Sequence, residues 1–167
     1  MIRAAQIADL ESEPLSRLET YWQGKRAGRL MPSRADIDPA EIKELLPQII
    51  MARIEYAPLR VKYTIVGTAC ARSAGFDFTG RYLDELRFDS ETDTDWLAIY
   101  EEIVREKQPI GGTCLFRTAD LDRPYWVAVF PLSNDGVRVD HTIAYEHLNL
   151  SLTEMDHVLK VQPKPQS

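Results

Sequence analysis

The chain has 167 residues, 44% of them hydrophobic and 28% charged, a profile of one soluble globular domain with extensions and not of a disordered or fibrous protein. A domain of this size buries roughly 70% of its unfolded surface, so its core needs no disulfide or metal staple. The formal net charge of -6 argues against a broad nucleic-acid footprint, which requires a basic surface.

The N-terminal region carries Asp9, Glu11 and Glu13 without an apolar run, so no signal peptide is expected. The spacing predicts a helix over Pro14–Ala27. Pro14 suits a first helical turn, Leu15, Leu18, Tyr21 and Trp22 share one face, and Gly24 and Gly28 mark the end. That apolar stripe needs a surface to cover, either the domain's own sheet or a second subunit. A short helix is predicted from Asp38, with Asp38 as N-cap, Pro39 in the first turn and Glu41 placed as in a capping box. Capping is therefore preferred to a paired-carboxylate site at Asp36 and Asp38.

Strands are predicted over Ile49–Tyr56 and Arg60–Val66, joined by Ala57-Pro58-Leu59. In the second, Val61, Tyr63 and Ile65 are expected on one face. Thr68–Ala74 reads as a short helix stopped at Gly75. The main helix is expected over Thr92–Lys107, capped by Ser90-Glu91-Thr92-Asp93, with Trp96, Leu97, Ile99, Tyr100, Ile103 and Val104 as its apolar stripe. Beyond Pro109 the pattern changes to period two, giving strands over Ile110–Thr118, Tyr125–Leu132 and Val137–Leu148. The turns between them are Asp120–Pro124 and Ser133–Gly136. Ser151–Glu154 opens a short helix, and Pro163–Ser167 is a frayed tail.

The signature from Tyr21-Trp22-Gln23-Gly24-Lys25-Arg26 through Met31-Pro32-Ser33-Arg34 to Pro39, Leu46-Pro47-Gln48-Ile49, Tyr63–Thr68 with Thr79-Gly80-Arg81-Tyr82-Leu83, and Phe130–Gly136 stand out in this order. Together they resemble a bacterial PAS-fold family, PAS type 5, formerly a domain of unknown function. The resemblance implies an α+β fold: a PAS-like five-stranded antiparallel sheet with helices on one face and an N-terminal helical extension. The expected division is an extension over 1–36, a sensor domain over 37–150 and a tail over 151–167. The resemblance further implies a pocket between sheet and long helix, frequent homodimerisation through the N-terminal helix, and no catalysis. Leu15, Leu18, Tyr21 and Trp22 would then be the dimer contacts. With no room for an output domain, such a module would act on an unidentified signalling protein.

The candidate pocket residues are Tyr63, Ile65, Trp96, Tyr100, Phe116 and Trp126, able to line a cavity of several hundred cubic ångströms (a typical ligand site). Haem needs an axial ligand, and the long helix has no histidine; His141, His147 and His157 read as ordinary histidines. The Asn-Cys-Arg-Phe-Leu-Gln motif of flavin-adduct photoreceptors is absent, so neither haem nor covalent flavin is predicted, while a non-covalent small ligand stays open. No metal set or phosphate loop is recognisable, and Cys70 and Cys114 read as buried, reduced thiols of a cytoplasmic protein. Arg26, Arg29 and Arg34, with Lys25, form a basic cluster that could dock an anionic ligand or acidic partner, but the preferred reading is that Arg34 pairs with Asp36 or Asp38 and the others are solvated. No membrane span is expected.

The resulting expectation is a non-catalytic sensory or regulatory module, dimeric and cytoplasmic. Two alternatives remain. One is a small cone-shaped isomerase or dehydratase pairing Asp140 with His141 or Tyr145, which strand alternation disfavours. The other is a ligand-free dimerisation adaptor.

Overall fold

The computed structural model describes residues 7–87, 91–92, 94–117 and 122–150. Ser90 and Asp93 of the expected cap, the turn residues Asp120 and Leu121, the Ser151–Glu154 helix and the tail lie outside the described residues. Six antiparallel strands make one sheet: β1 (Ile49–Glu55), β2 (Arg60–Val66), β3 (Glu91–Thr92), β4 (Ile110–Arg117), β5 (Asp122–Leu132) and β6 (His141–His147). Their order is β2-β1-β6-β5-β4-β3. The two-residue β3 only extends one edge; the remaining five strands are the expected antiparallel sheet, closed by pairing of Ile49–Arg53 in β1 with β6.

Helix α1 (Glu13–Lys25) starts where Ser12 Oγ accepts the Leu15 N–H at 3.4 Å, and it stops before Ala27, whose φ of 49° is left-handed. It lies on β5 and β6. Leu15, Leu18 and Trp22 are completely buried there. The Trp22 indole donates to the Pro131 carbonyl at 2.8 Å, and its ring sits 6.0 Å from that of Phe130. The preceding 3-10 turn, Ile7–Leu10, presses on β4, where a Cβ at Gly111 would stand 2.9 Å from Ile7 Cγ1. The N-terminal segment therefore shares one core with the sheet. Its stripe does not present Leu15, Leu18 and Trp22 to a second subunit, because the chain's own strands need covering on that face. Tyr21 is half-buried beside it, donating to Glu41 at 2.8 Å.

The Asp38 segment is a 3-10 turn, Pro39–Ile42, with Asp38 Oδ1 accepting the Ala40 N–H at 2.9 Å. Helix α2 (Thr68–Ala74) follows β2. Helix α3 (Trp96–Glu106) begins later than the sequence suggested, since Glu91–Thr92 pair with β4 and Asp95 caps the Ala98 N–H at 3.1 Å. Strand β6 also begins late. Asp135 accepts the Val137 and Arg138 N–H groups, each at 2.8 Å, and holds that stretch in a turn.

Two local features set which face each residue occupies. Between Met51/Ala52 the β1–β2 register shifts: Ala52 pairs with Tyr63 but Met51 with Ile65, leaving Thr64 as the extra residue. At the entrance to α2, Gly67 donates to the Ile49 carbonyl at 2.7 Å and passes so close to the chain that a Cβ would lie 2.4 Å from the Leu46 and Pro47 carbonyl oxygens.

Gly67→Ala is expected to cost more than about 2 kcal/mol, because backbone and not a flexible side chain must give way; a urea titration with an unchanged midpoint would show that the approach is not tight. Trp22→Ala should cost about 3–5 kcal/mol in the same assay. A loss below about 0.5 kcal/mol, as for exposed positions, would instead make Trp22 a surface contact.

Candidate functional site

Alternation along the central strands sends neighbouring residues to opposite faces. In β5, Tyr125, Val127 and Val129 point away from α1, and in β6 so do Ala144 and Glu146. With Ile50 of β1 and Tyr63 of β2 they floor a cavity that α2 closes with Cys70 and Ala74. Helix α3 contributes Trp96 and Tyr100, and Phe78 and Phe116 complete the wall. The cavity measures about 40 Å³, space for roughly three water-sized occupants, and so is much smaller than the several hundred cubic ångströms expected.

The aromatic wall is interlocked. Tyr63 meets Phe78 edge-on at 5.0 Å, and Phe116 stacks on Tyr125 at 4.6 Å. The Tyr63 and Tyr100 hydroxyls share a hydrogen bond, and Tyr100 also bonds Thr142. Burial pushes the Tyr100 phenol up to about 12 and those of Tyr63 and Tyr125 well above the ordinary value. These tyrosines are neutral hydrogen-bonding groups.

Glu146 is the carboxyl among the wall residues. Desolvation pushes it up to about 7, against the opposing effect of a hydrogen bond from the Cys70 thiol. The residue keeps some accessible surface, yet protein surrounds the carboxyl closely enough to desolvate it; the two agree because Glu146 lines the cavity. Cys70 is itself pushed up, first by burial and then by the charge of Glu146, so its thiol is a donor and not a nucleophilic thiolate.

Of the residues singled out from the sequence, Tyr63, Trp96, Tyr100 and Phe116 stand on the cavity wall. Ile65 does not. The extra residue Thr64 turns Ile65 onto the face of Met51, where it is 37% exposed. Trp126 is buried on the α1 face, its ring 5.7 Å from His147. Glu146, Cys70, Phe78 and Tyr125 were not foreseen there. Period two around Ala144 puts Glu146 opposite Tyr145, but sequence alternation does not say which face holds the cavity.

The other candidates fall elsewhere. Asp140 and His141 contact each other at 2.7 Å at the start of β6, away from the cavity wall, and Tyr145 lies on the α1 face near Glu13 and Arg17. The acid–base pair of the isomerase alternative is therefore not assembled in the cavity. In the basic cluster, Arg29 pairs with Asp36 at 2.7 Å and Lys25 with Glu41 at 2.6 Å. The Ser33 N–H and then Arg29 hold Asp36 at about 2. Arg26 lies over the Trp22 ring and bonds Gln23, and Asp36 takes Arg29 and not the expected Arg34, whose backbone N–H donates to Asn134. The cluster is largely committed to local structure. Cys70 and Cys114 are both free and buried, and no described helix is long and apolar enough to cross a membrane.

An antiparallel sheet in this order, with helices inserted after its second strand to enclose a cavity on one face, is the PAS architecture. Residues 10–123 match the PAS_5 family, described as a PAS domain, and the chain belongs to that family. Among solved structures it is similar to a light-oxygen-voltage domain whose mechanism was studied with a flavin analogue, at 12% identity and a TM-score of 0.53 over 72% of this chain and 90% of that one. It is also similar to the dark structure of the light-oxygen-voltage domain of the blue-light photoreceptor Aureochrome1, at 10% identity and a TM-score of 0.51 over 71% and 87% of the two chains. These likenesses concern the fold alone. No curated protein matches the chain.

The raised Glu146 value makes a signed prediction. The folded state holds the proton more tightly than the unfolded chain, whose carboxyl titrates near 4.5. Stability from this group is therefore full below that value and falls as pH rises to about 7. The loss is on the order of 3 kcal/mol. The difference in unfolding free energy between the wild type and Glu146→Gln should shift by that amount, against the wild type, between pH 4.5 and 8. A flat difference would show that the carboxyl is not desolvated.

Proposed function

We propose that the chain is a non-catalytic sensory module whose cavity binds a small ligand and whose signal leaves through α1, in a cytoplasmic homodimer or on a signalling partner. One observation carries this reading: the strands that floor the cavity also carry α1 on their reverse. Val127 and Val129 touch the cavity, and between and beside them Trp126, Ala128 and Phe130 face the helix side. A ligand that shifts β5 or β6 acts one residue away from the seat of Trp22 and Leu18. Such coupling requires the ligand to favour one packing of α1 over another.

At about 40 Å³ the cavity takes a molecule of a few non-hydrogen atoms and is too small for a three-ring flavin. Its tyrosines and carboxyl would orient that molecule while the rings and aliphatic side chains exclude water. The buried stripe of α1 leaves dimer or partner contacts to exposed residues.

Native mass spectrometry of freshly purified protein should show a dimer carrying a small non-covalent mass. Removal of that mass should raise hydrogen exchange in α1. An α1 whose exchange is the same with and without the ligand would contradict transmission through the sheet. A protein that carries no mass but captures a specific protein would favour the adaptor alternative.

A further inference from the structure

The cavity walls define a ligand class. If the cavity is a ligand site, as proposed above, its occupant must satisfy two features at once: a wall rich in aromatic rings and one carboxyl with no cationic partner among the described residues. Tyr63, Phe78, Trp96, Tyr100, Phe116 and Tyr125 supply the rings. Aromatic faces carry negative electrostatic potential, and a cage of them is a favourable environment for a desolvated cation. Glu146 adds a formal charge of the same sign when ionised. The titratable groups that face it are Tyr63 from β2, Cys70 from α2, Tyr100 from α3 and Tyr125 from β5. None is cationic, and only the Cys70 thiol favours the carboxylate.

We propose that the cavity binds a small organic cation, a protonated aliphatic amine or methylated ammonium, held between the Glu146 carboxylate and the aromatic wall. An anion would meet the carboxylate, which repels it. A neutral molecule of the same size would fill the space and at most hydrogen-bond the carboxylate, leaving its charge uncompensated. A cation gives the carboxylate its missing partner. The available volume sets the size at about three or four non-hydrogen atoms. Binding of the cation requires the carboxylate, so protonation of Glu146 opposes it.

The test is an NMR titration of the full chain with three compounds of matched size: isopropylamine, isopropanol and acetate, followed at the Cys70, Ala144 and Glu146 amides. At pH 8 the amine should bind roughly tenfold or more tightly than the alcohol, and acetate should not bind. In Glu146→Gln the amine should fall to the level of the alcohol. In the wild type, amine affinity should drop about tenfold per pH unit once the carboxyl protonates, although an aliphatic amine stays charged throughout; this profile stands even if the variant folds poorly. Equal or tighter binding of isopropanol, or amine affinity retained in Glu146→Gln with no pH dependence, overturns the cation assignment while leaving the cavity a ligand site. If none of the three compounds shifts those amides and the native protein carries no small mass, the ligand-site reading fails with it.

Discussion

Strand β5 is buried on both faces from Tyr125 to Leu132, and the rest of the molecule depends on that. A sheet with two apolar faces cannot leave either one to water without exposing large side chains. One face is closed by α1 and the Ile7–Leu10 turn, through Trp22 on Phe130 and Ile7 on Gly111. The other is closed by α2, α3 and Phe78. Closure is tight on the α1 side and leaves a small cavity on the α2–α3 side. The molecule is therefore a sheet with one filled and one partly hollow face, and the same strands carry both.

The polar groups within the hollow face shape its chemistry. Tyr63, Tyr100 and Thr142 satisfy one another, as buried hydroxyls require. Glu146 is less well served, with a thiol for a partner. A carboxyl so placed weakens the folded state at neutral pH, and no described contact recovers that cost in full. Buried, poorly compensated charges of this kind cluster at binding sites, where a ligand supplies what the fold withholds. Among the described residues the α1 side shows no comparable group; Ser12 and His147 bond each other there at 2.8 Å.

Much of the fold was legible because its signals are local. The limits of β2 and α2 follow from alternation, a glycine stop and a change of period, and Asp38 caps as its type suggests. The site was only half legible. Tyr63, Trp96, Tyr100 and Phe116 could be placed because helix and sheet must face each other. Trp126 could not be, since a strand buried on both faces has no alternation to show its inward side. Ile65 was misplaced by the extra residue at Thr64, a register shift set by pairing with β1 and absent from the pattern of β2 itself. Glu146 is not singled out by its neighbours in sequence, and only the covering of its face by α2 and α3 gives it meaning. The stripe of α1 posed the same difficulty: Leu15, Leu18 and Trp22 look alike whether they cover a partner or the chain's own sheet.

The chemistry of the cavity therefore depends on one carboxyl being held away from water inside it. Selective carbon-13 labelling of glutamate side chains, with the Glu146 resonance assigned through Glu146→Gln, gives its titration directly. A carboxyl carbon that titrates near 7, and moves to lower pH when isopropylamine is added, is the predicted result. Titration near the ordinary glutamate value of 4.5, unmoved by the amine, would place the group in water and contradict the account.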